Sequence, residues 1–472
     1  MTIDKININS KPYQNVDDSN LEDNLSKELL NGYLNELNKK IGRFGVTKVG
    51  DNGTYKINDN AYWWESKENA VTVSEGRVFK YTDSSLNKTE ITGATLETEQ
   101  YVSFADNGDY LAMANGGKIV YTDGSTLTEV SDPDAPTSVT HIVFYQQYLL
   151  AINAGEGKLY WCVFETSPSS WNAIDFITAE SSPDELRNLK IVKDVIYLIG
   201  QSTTEPTIGD GATPFIKMGT TIPYGTTAPN SVVVVKDKMF MLSEDRRMLQ
   251  IQGATAKEIS TPYDKTLQNM TTVSDCRGFY IKKDGKWFVV FNFYTENKTL
   301  VYDILVDAWY EWTWWDRVNN RQLAWLIYGY IYSPSWNMHI ITDRRNHNLL
   351  EIDDSHTDDG IKIYFQTTTG NINRGTRNKK KCIGITLSLR RGVGVSSNLE
   401  KDPKLTISYS DNGGKIWSSE REYSLGKLGD YETTIKDKRF GTYRTRQWRI
   451  RCTDETAVEL LDMEETYKVL KI

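Results

Sequence analysis

Residues 102–130, VSFADNGDYLAMANGGKIVYTDGSTLTEV, decide how the chain is read. Apolar and polar residues alternate in short runs, and each run stops at Asn-Gly, Gly-Gly or Asp-Gly. These residues accept the positive φ of a tight turn, so the stretch predicts short antiparallel strands joined by hairpins. Residues 62–92, YWWESKENAVTVSEGRVFKYTDSSLNKTEIT, repeat its order of hydrophobic strand, Gly turn and Tyr-Thr-Asp. Five further modules follow at 139–164, 189–205, 230–253, 279–314 and 324–353. A recurrence of about 30–50 residues is the period of propeller blades. One such unit cannot bury both of its faces, so the units stack around an axis. Long loops at 167–188 and 207–230 leave modules three and four open to being one interrupted blade. The count is therefore six or seven.

The flanks break the pattern. Residues 1–20 are polar and predict an extended arm. The next stretch spaces Leu21, Leu25, Leu29, Tyr33, Leu37 and Ile41 four apart, with Ser19 or Asn20 as N-cap, which predicts one amphipathic helix. From about Tyr364 the repeat stops. CIGITLSLRRGVGV (382–395), KLTISYS (404–410), KIWSSEREYSL (415–425) and AVELLDMEETYKVL (457–470) read as a separate antiparallel sandwich. The expectation is an all-β chain: arm and helix at 1–41, propeller at 42–363, sandwich at 364–472.

Composition narrows the chemistry. The 27 Tyr and 13 Trp supply strand-favouring surface, whereas only four His leave little imidazole for acid–base or metal work. Cys162, Cys276, Cys382 and Cys452 form no Cys-x-x-Cys, which excludes zinc-ribbon patterns and fits unpaired thiols in a reducing cytosol. MTIDKININSKPYQN is polar where a secretory signal would be apolar, and no apolar run approaches the roughly 20 residues of a membrane span. The net charge of −8 is unevenly spread, because residues 364–472 carry 21 Lys+Arg against 14 Asp+Glu. A basic end on an acidic body implies two surfaces for different partners; plain solvated faces are the alternative.

Local motifs point away from catalysis. SYSDNGGKIWSS (408–419) nearly spells the Asp-box turn of sialidase-like propeller glycosidases. It holds no nucleophile or acid poised for chemistry and predicts a hairpin with Trp417 closed over it. It also occurs once and outside the repeats, whereas Asp-box enzymes repeat it. DAWYEWTWWDR (307–317) places Tyr310, Trp312 and Trp314 on one strand face and Trp309 and Trp315 on the other. Blade core on one side and a subunit contact on the other is preferred to a sugar-stacking platform. NRGTRNKKKC gathers Arg374, Arg377, Lys379, Lys380 and Lys381 without the interleaved aromatics of a base-binding groove, which speaks against readout of DNA sequence and leaves phosphate binding and an acidic protein partner both open. In EIDDSHTDDG the acids Asp353, Asp354, Asp358 and Asp359, with His356, lack EF-hand spacing and read as a polar turn. Glu180 and Asp184 flank Pro183 and are read as turn residues rather than a glycosidic acid–base pair. The chain carries no phosphate-binding loop, nucleophile elbow or His-Glu-x-x-His, and no cofactor or metal is implied.

FITAESSPDELRNLKIVKDVIYLIGQSTTE (176–205) resembles the packaged-DNA stabilisation proteins, or tail hub (nozzle) proteins, of short-tailed bacteriophages. The matching positions are Ala179, Glu180, Ser181, Pro183 and Asp184, then Gly200, Ser202, Thr203 and Glu205. The resemblance continues through GATPFIKMGTTIPYGTTAPNSVVVVKDKMFML and resumes at RFGTYRTRQWRIRCT; the helix expected at 21–41 departs from it. It implies a structural, non-enzymatic virion tail protein assembled in the host cytoplasm. It further implies a homohexameric ring below the portal and adaptor, which forms part of the channel for double-stranded DNA. Adaptor proteins, tailspikes or fibres, and a plug or needle are the implied partners. Trp312, Trp314 and the 374–381 cations are the expected partner-facing residues.

Overall fold

The computed structural model describes residues 1–15, 25–51, 53, 58–98, 100–179, 184–209, 216–395, 397–398, 401–431 and 434–470. Seven four-stranded antiparallel blades are present among them. The innermost strands are Asn58–Trp64, Ser103–Asp106, Val139–Tyr145, Leu186–Val192, Val233–Val235, Arg277–Lys283 and Ile327–Ser333. These strands neighbour one another in cyclic order, blade seven returning to blade one. Modules three and four are separate blades, so the count resolves to seven. The 167–188 loop returns as Phe176–Thr178, the outermost strand of blade three.

Blade seven is finished by a strand from the other end of the chain. Gly45–Asp51 pairs antiparallel with Asn348–Asp353, from Val46↔Ile352 to Asp51↔Asn348. Gly45 is obligatory there, because a Cβ would meet Ser355 Oγ at 2.3 Å and the Thr357 carbonyl oxygen at 2.5 Å. Apolar cores fill the blade-to-blade junctions, such as Val71, Val73, Leu111 and Met113 between blades one and two. Leu150, Ile152, Leu189 and Leu198 do the same between three and four. Alternation along each strand thus feeds two junctions at once.

The sandwich has one sheet that continues blade six. Its order runs from Ala308–Glu311 through Ser26–Leu30, Phe365–Thr369, Gln447–Cys452 and Lys404–Ser410 to Arg421–Ser424. The facing sheet is centred on Glu459–Val469 and Lys380–Leu389, with Lys40–Gly42 and Thr2–Ile6 also paired to Glu459–Val469. The helix expected at 21–41 is not formed over the described part. Residues 16–24 lie outside the described residues, and Ser26–Leu30, Gly32–Leu34 and Lys40–Gly42 are strands. Asn31 between two of them has φ 52°, a left-handed conformation that a helix cannot contain. Leu29, Leu30, Tyr33 and Leu34 are all buried, so both faces pack and the four-residue spacing carries no helical stripe. Leu37, at 78% exposure, tips the hairpin between two of these strands. The one α-helix among the described residues is Asp264–Asn269.

Candidate functional site

The seam between propeller and sandwich claims the tryptophan run. Trp312 has no exposed surface; it donates Nε1–H to the Gly32 carbonyl and sits edge-on to Phe44, Phe288 and Trp325. The expected partner contact at Trp312 is therefore corrected, since the chain's own N-terminal strands cover it. Trp314 is half-buried, with the Arg345 guanidinium 4.5 Å from its ring. Trp309 faces the blade-five side and donates to the Ile259 carbonyl at 2.7 Å, so Trp309 and Trp312 anchor core on opposed faces of the run. Beside Trp312 the buried Arg43 spends all five N–H donors: on Asn31 Oδ1, the Phe44 and Thr313 carbonyls, and both oxygens of Asp358. That pairing removes Asp358 from any cation site, and Asp353 is engaged by Thr47 and Ser355.

The basic loop divides in two. Arg374 pairs with the buried Glu465 at 2.9 Å, and Lys380 is enclosed, donating to the Asn373 and Thr376 carbonyls at 2.7 Å each. Both therefore hold the loop rather than face a partner, which corrects their expected role. Arg377, Lys379 and Lys381 remain exposed. In the nearby Asp-box-like turn, Ser410 Oγ accepts from Gly414 N–H and Asn412 Oδ1 accepts from Ile416 N–H, while Gly413 and Gly414 have φ 70° and 83°. Asp411 grips the buried Arg446 at 2.7 and 2.9 Å, and that guanidinium packs among Tyr409, Tyr443 and Trp448. Trp417 lies under Arg449, 4.0 Å away. The turn is a brace, with its polar groups used internally.

The family-like anchors also turn out to be joints. Glu180 and Pro183 lie outside the described residues. Asp184 Oδ2 accepts from the backbone N–H of Ser202 and Thr203, tying the entry of blade four to its second turn. Gly225 packs on the Gln201 backbone so closely that a Cβ would lie 2.2 Å from the Gln201 carbonyl carbon. Ser231 donates to the Ala228 carbonyl and accepts from Leu242 N–H at the start of blade five.

At one end of the propeller axis, residues from separate blades converge. In blades one, three, four and seven the innermost strand carries a register shift at the same place, between Asn58/Asn60, Val139/His141, Leu186/Asn188 and Ile327/Gly329. A bulge re-aims the extra side chain, and Thr140, Arg187 and Tyr328 all line the axial mouth. The residue after the bulge, or its counterpart, closes the gap to a neighbour: Asn60 donates to the Val102 carbonyl, Ser103 to Ile142, and Asn188 to Pro229. Further side chains cross the axis. Arg277 of blade six lies 3.7 Å from the Tyr328 ring and 5.3 Å from the ring of Tyr101, which precedes blade two. Tyr101 stacks on His141 of blade three, whose Nε2 lies 3.3 Å from Asn230 Oδ1 before blade five. Burial, with Lys190 nearby, pushes the His141 imidazole down to about 3, so it is neutral in ordinary buffers. No single stretch announced this cluster, because each blade contributes one or two residues. The available signal was a polar residue recurring near the start of the innermost strands.

No helix among the described residues is long and apolar enough to cross a membrane, and none of their His, Cys, Asp and Glu side chains form a group suited to hold a metal. A comparison with curated proteins finds no match. Among solved structures, YCF48 bound to D1 peptide shares 10% identity with a TM-score of 0.42, covering 66% of this chain and 95% of that one. The extracellular domain of the putative one-component system BT4673 from B. thetaiotaomicron shares 9% identity with a TM-score of 0.45, covering 88% and 60%. The family model described as "Bacteriophage P22 Gp10, beta-propeller" matches residues 38–357, and the one described as "Bacteriophage P22 Gp10, beta-sandwich" matches 376–466. With a propeller braced to a sandwich and the family-like residues serving as its joints, the chain belongs to the P22 Gp10 family of bacteriophage tail structural proteins.

Proposed function

We propose that this protein is a tail hub or nozzle subunit that joins further copies, most simply six, in a ring below the portal and adaptor. The ring holds the packaged genome and conveys it at ejection. One observation carries this reading beyond the family: the propeller axis is bridged by Arg277, Tyr101 and His141, contacts of 5.3 and 5.9 Å. Duplex DNA, whose major groove alone is about 12 Å wide, has no path through one chain, so a channel has to lie between chains. Arg377, Lys379, Lys381 and Trp314 are the residues proposed to face an adaptor or neighbouring copy.

The acidic remainder of the chain supports a lumen that repels phosphate. DNA carries one charge per about 1.7 Å of duplex axis, and a basic lining would grip it. A conduit works better when the duplex slides. Reconstruction of the virion tail tests the ring, and a single copy per tail would refute it. Duplex binding by the assembled ring at low salt tests the lining; tight binding with a steep salt slope would remove the repulsive channel. Asp184, the described member of the pair considered for sugar chemistry, is committed to two backbone donors, which supports a non-enzymatic reading.

A further inference from the structure

The axial mouth holds two adjoining cavities of about 470 and 210 Å³ that share Gln100, Tyr101 and Asn230. The larger is lined by Arg277, Arg344, Asp275 and the rings of Tyr101, Tyr294 and Tyr328, a size suited to a mono- or disaccharide. Both guanidiniums address one ring, with Arg344 4.6 Å and Arg277 6.0 Å from the centroid of Tyr294. Arg344 donates to the Tyr294 carbonyl, and Arg277 donates to both the carbonyl and the hydroxyl of Tyr328, so both guanidiniums are oriented by the fold. Arg187 adds a third cation to the smaller cavity.

Two acceptors in the same mouth have no donor among the described residues. Asp275 uses Oδ2 for the N–H and hydroxyl of Thr295, while its Oδ1 is enclosed and unpaired. His141, only 4% exposed, places Nε2 beside Asn230 and leaves Nδ1 enclosed and unpaired. Buried acceptors left without donors are costly, about 1–3 kcal/mol each, and recur where a ligand or water completes them. Arginine, an unpaired carboxylate oxygen and tyrosine rings meet in the larger cavity, and His141 and Arg187 line the smaller one that adjoins it. The bulges of blades three, four and seven place Thr140, Arg187 and Tyr328 along the two cavities.

We propose that the axial mouth is a binding site for an acidic sugar, a hexuronate unit. Its carboxylate meets Arg344, with the charge of Arg277 beside it, its hydroxyls donate to Asp275 Oδ1 and His141 Nδ1, and its ring lies against tyrosine. Planar, charge-assisted pairing with carboxylate is what oriented arginine forks do best. Such a site gives the tail a contact with acidic surface polysaccharide, a role separate from genome passage. No bond is made or broken.

The test uses the whole chain in calorimetric titration and saturation-transfer NMR. The probes are a glucuronate-containing disaccharide, its neutral counterpart and an aspartate-rich peptide. The acidic disaccharide is expected to bind with a Kd on the order of 1 mM or tighter. The neutral sugar, and the Arg344→Gln variant with the acidic sugar, are each expected to be weaker by about tenfold or more. Arg344→Lys recovers part of the loss, and Lys381→Ala on the sandwich changes nothing. Because Arg344 also braces Tyr294, melting temperatures are compared; if Arg344→Gln melts early, the exposed Gln100→Ala, expected to weaken binding severalfold, replaces it. Equal binding of the neutral sugar, preference for the peptide, indifference to the variants, or no saturable binding would each overturn the proposal. None of these outcomes depends on the ring assignment, which tail reconstruction tests by itself.

Discussion

Lys40 shows how one residue can set the acid–base behaviour of the seam. It is fully enclosed, donating to Ser26 Oγ at 2.8 Å and Thr367 Oγ1 at 2.9 Å, and burial pushes its ammonium down to about 7. Unfolded, the same group titrates near 10.4. Between about pH 7 and 10 the unfolded chain therefore binds the extra proton, and stability from this group rises with pH, by at most about 1.4 kcal/mol per unit. Denaturant titrations from pH 7 to 9 should show that slope and its loss in Lys40→Met; an unchanged slope would assign it elsewhere. Arg43 is instead paired with a carboxylate as buried as itself, that of Asp358. Arg43→Met leaves that carboxylate alone and is expected to cost about 3–5 kcal/mol in unfolding free energy. The four free cysteines are all buried, and burial raises each thiol. A thiol reagent should find none of them in the native protein and four after unfolding.

Among elements, the strand Gly45–Asp51 has the greatest leverage, because it closes blade seven. Gly45→Val pushes a side chain into the Thr357 backbone and should open the ring at that junction. Limited proteolysis should then cut between blades seven and one first, whereas cleavage elsewhere would show that closure lies in other contacts. This strand was illegible in the sequence, since its pairing partner is remote and nothing local distinguishes it. The seven modules were legible for the opposite reason: alternation and Gly turns, as in Ala112–Gly117, act within a few residues. The N-terminal helix failed on the same ground. Leu25, Leu29 and Tyr33 sit four apart, but tertiary pairing with Phe365–Thr369 and Lys40–Gly42 overrode that spacing. For the basic loop, sequence showed the charges but not that Glu465 and nearby carbonyls had claimed two of them. The axial mouth was hidden for a topological reason, being assembled from residues as distant as Tyr101 and Arg344.

At the scale of the whole molecule, propeller and sandwich share one core. Tyr310, Trp312 and Val290 of the blade-six region, Trp325 and Ile341 near and in blade seven, and Leu387, Trp448 and Met463 of the sandwich belong to the same buried cluster. Calorimetry should therefore show the sandwich melting together with blades six and seven, not as an independent early transition. The fragment 364–472 lacks the strands Thr2–Ile6, Ser26–Leu30 and Lys40–Gly42 that complete its two sheets. By circular dichroism and amide-proton dispersion it should stay unfolded; a folded fragment would show that those strands are dispensable.

The distant pairing of Gly45–Asp51 also imposes a timetable. Its partner strand leaves the ribosome roughly 300 residues later, which at about 5–20 residues per second is about 15–60 s. Thr2–Ile6 waits longer still, for Glu459–Val469. Throughout that interval the nascent chain carries open strand edges, and chains made in bulk during infection would carry them together. The two pairings are therefore both in place only after Glu459–Val469 has been made, so a chain that stops before it keeps an edge open through its topology alone.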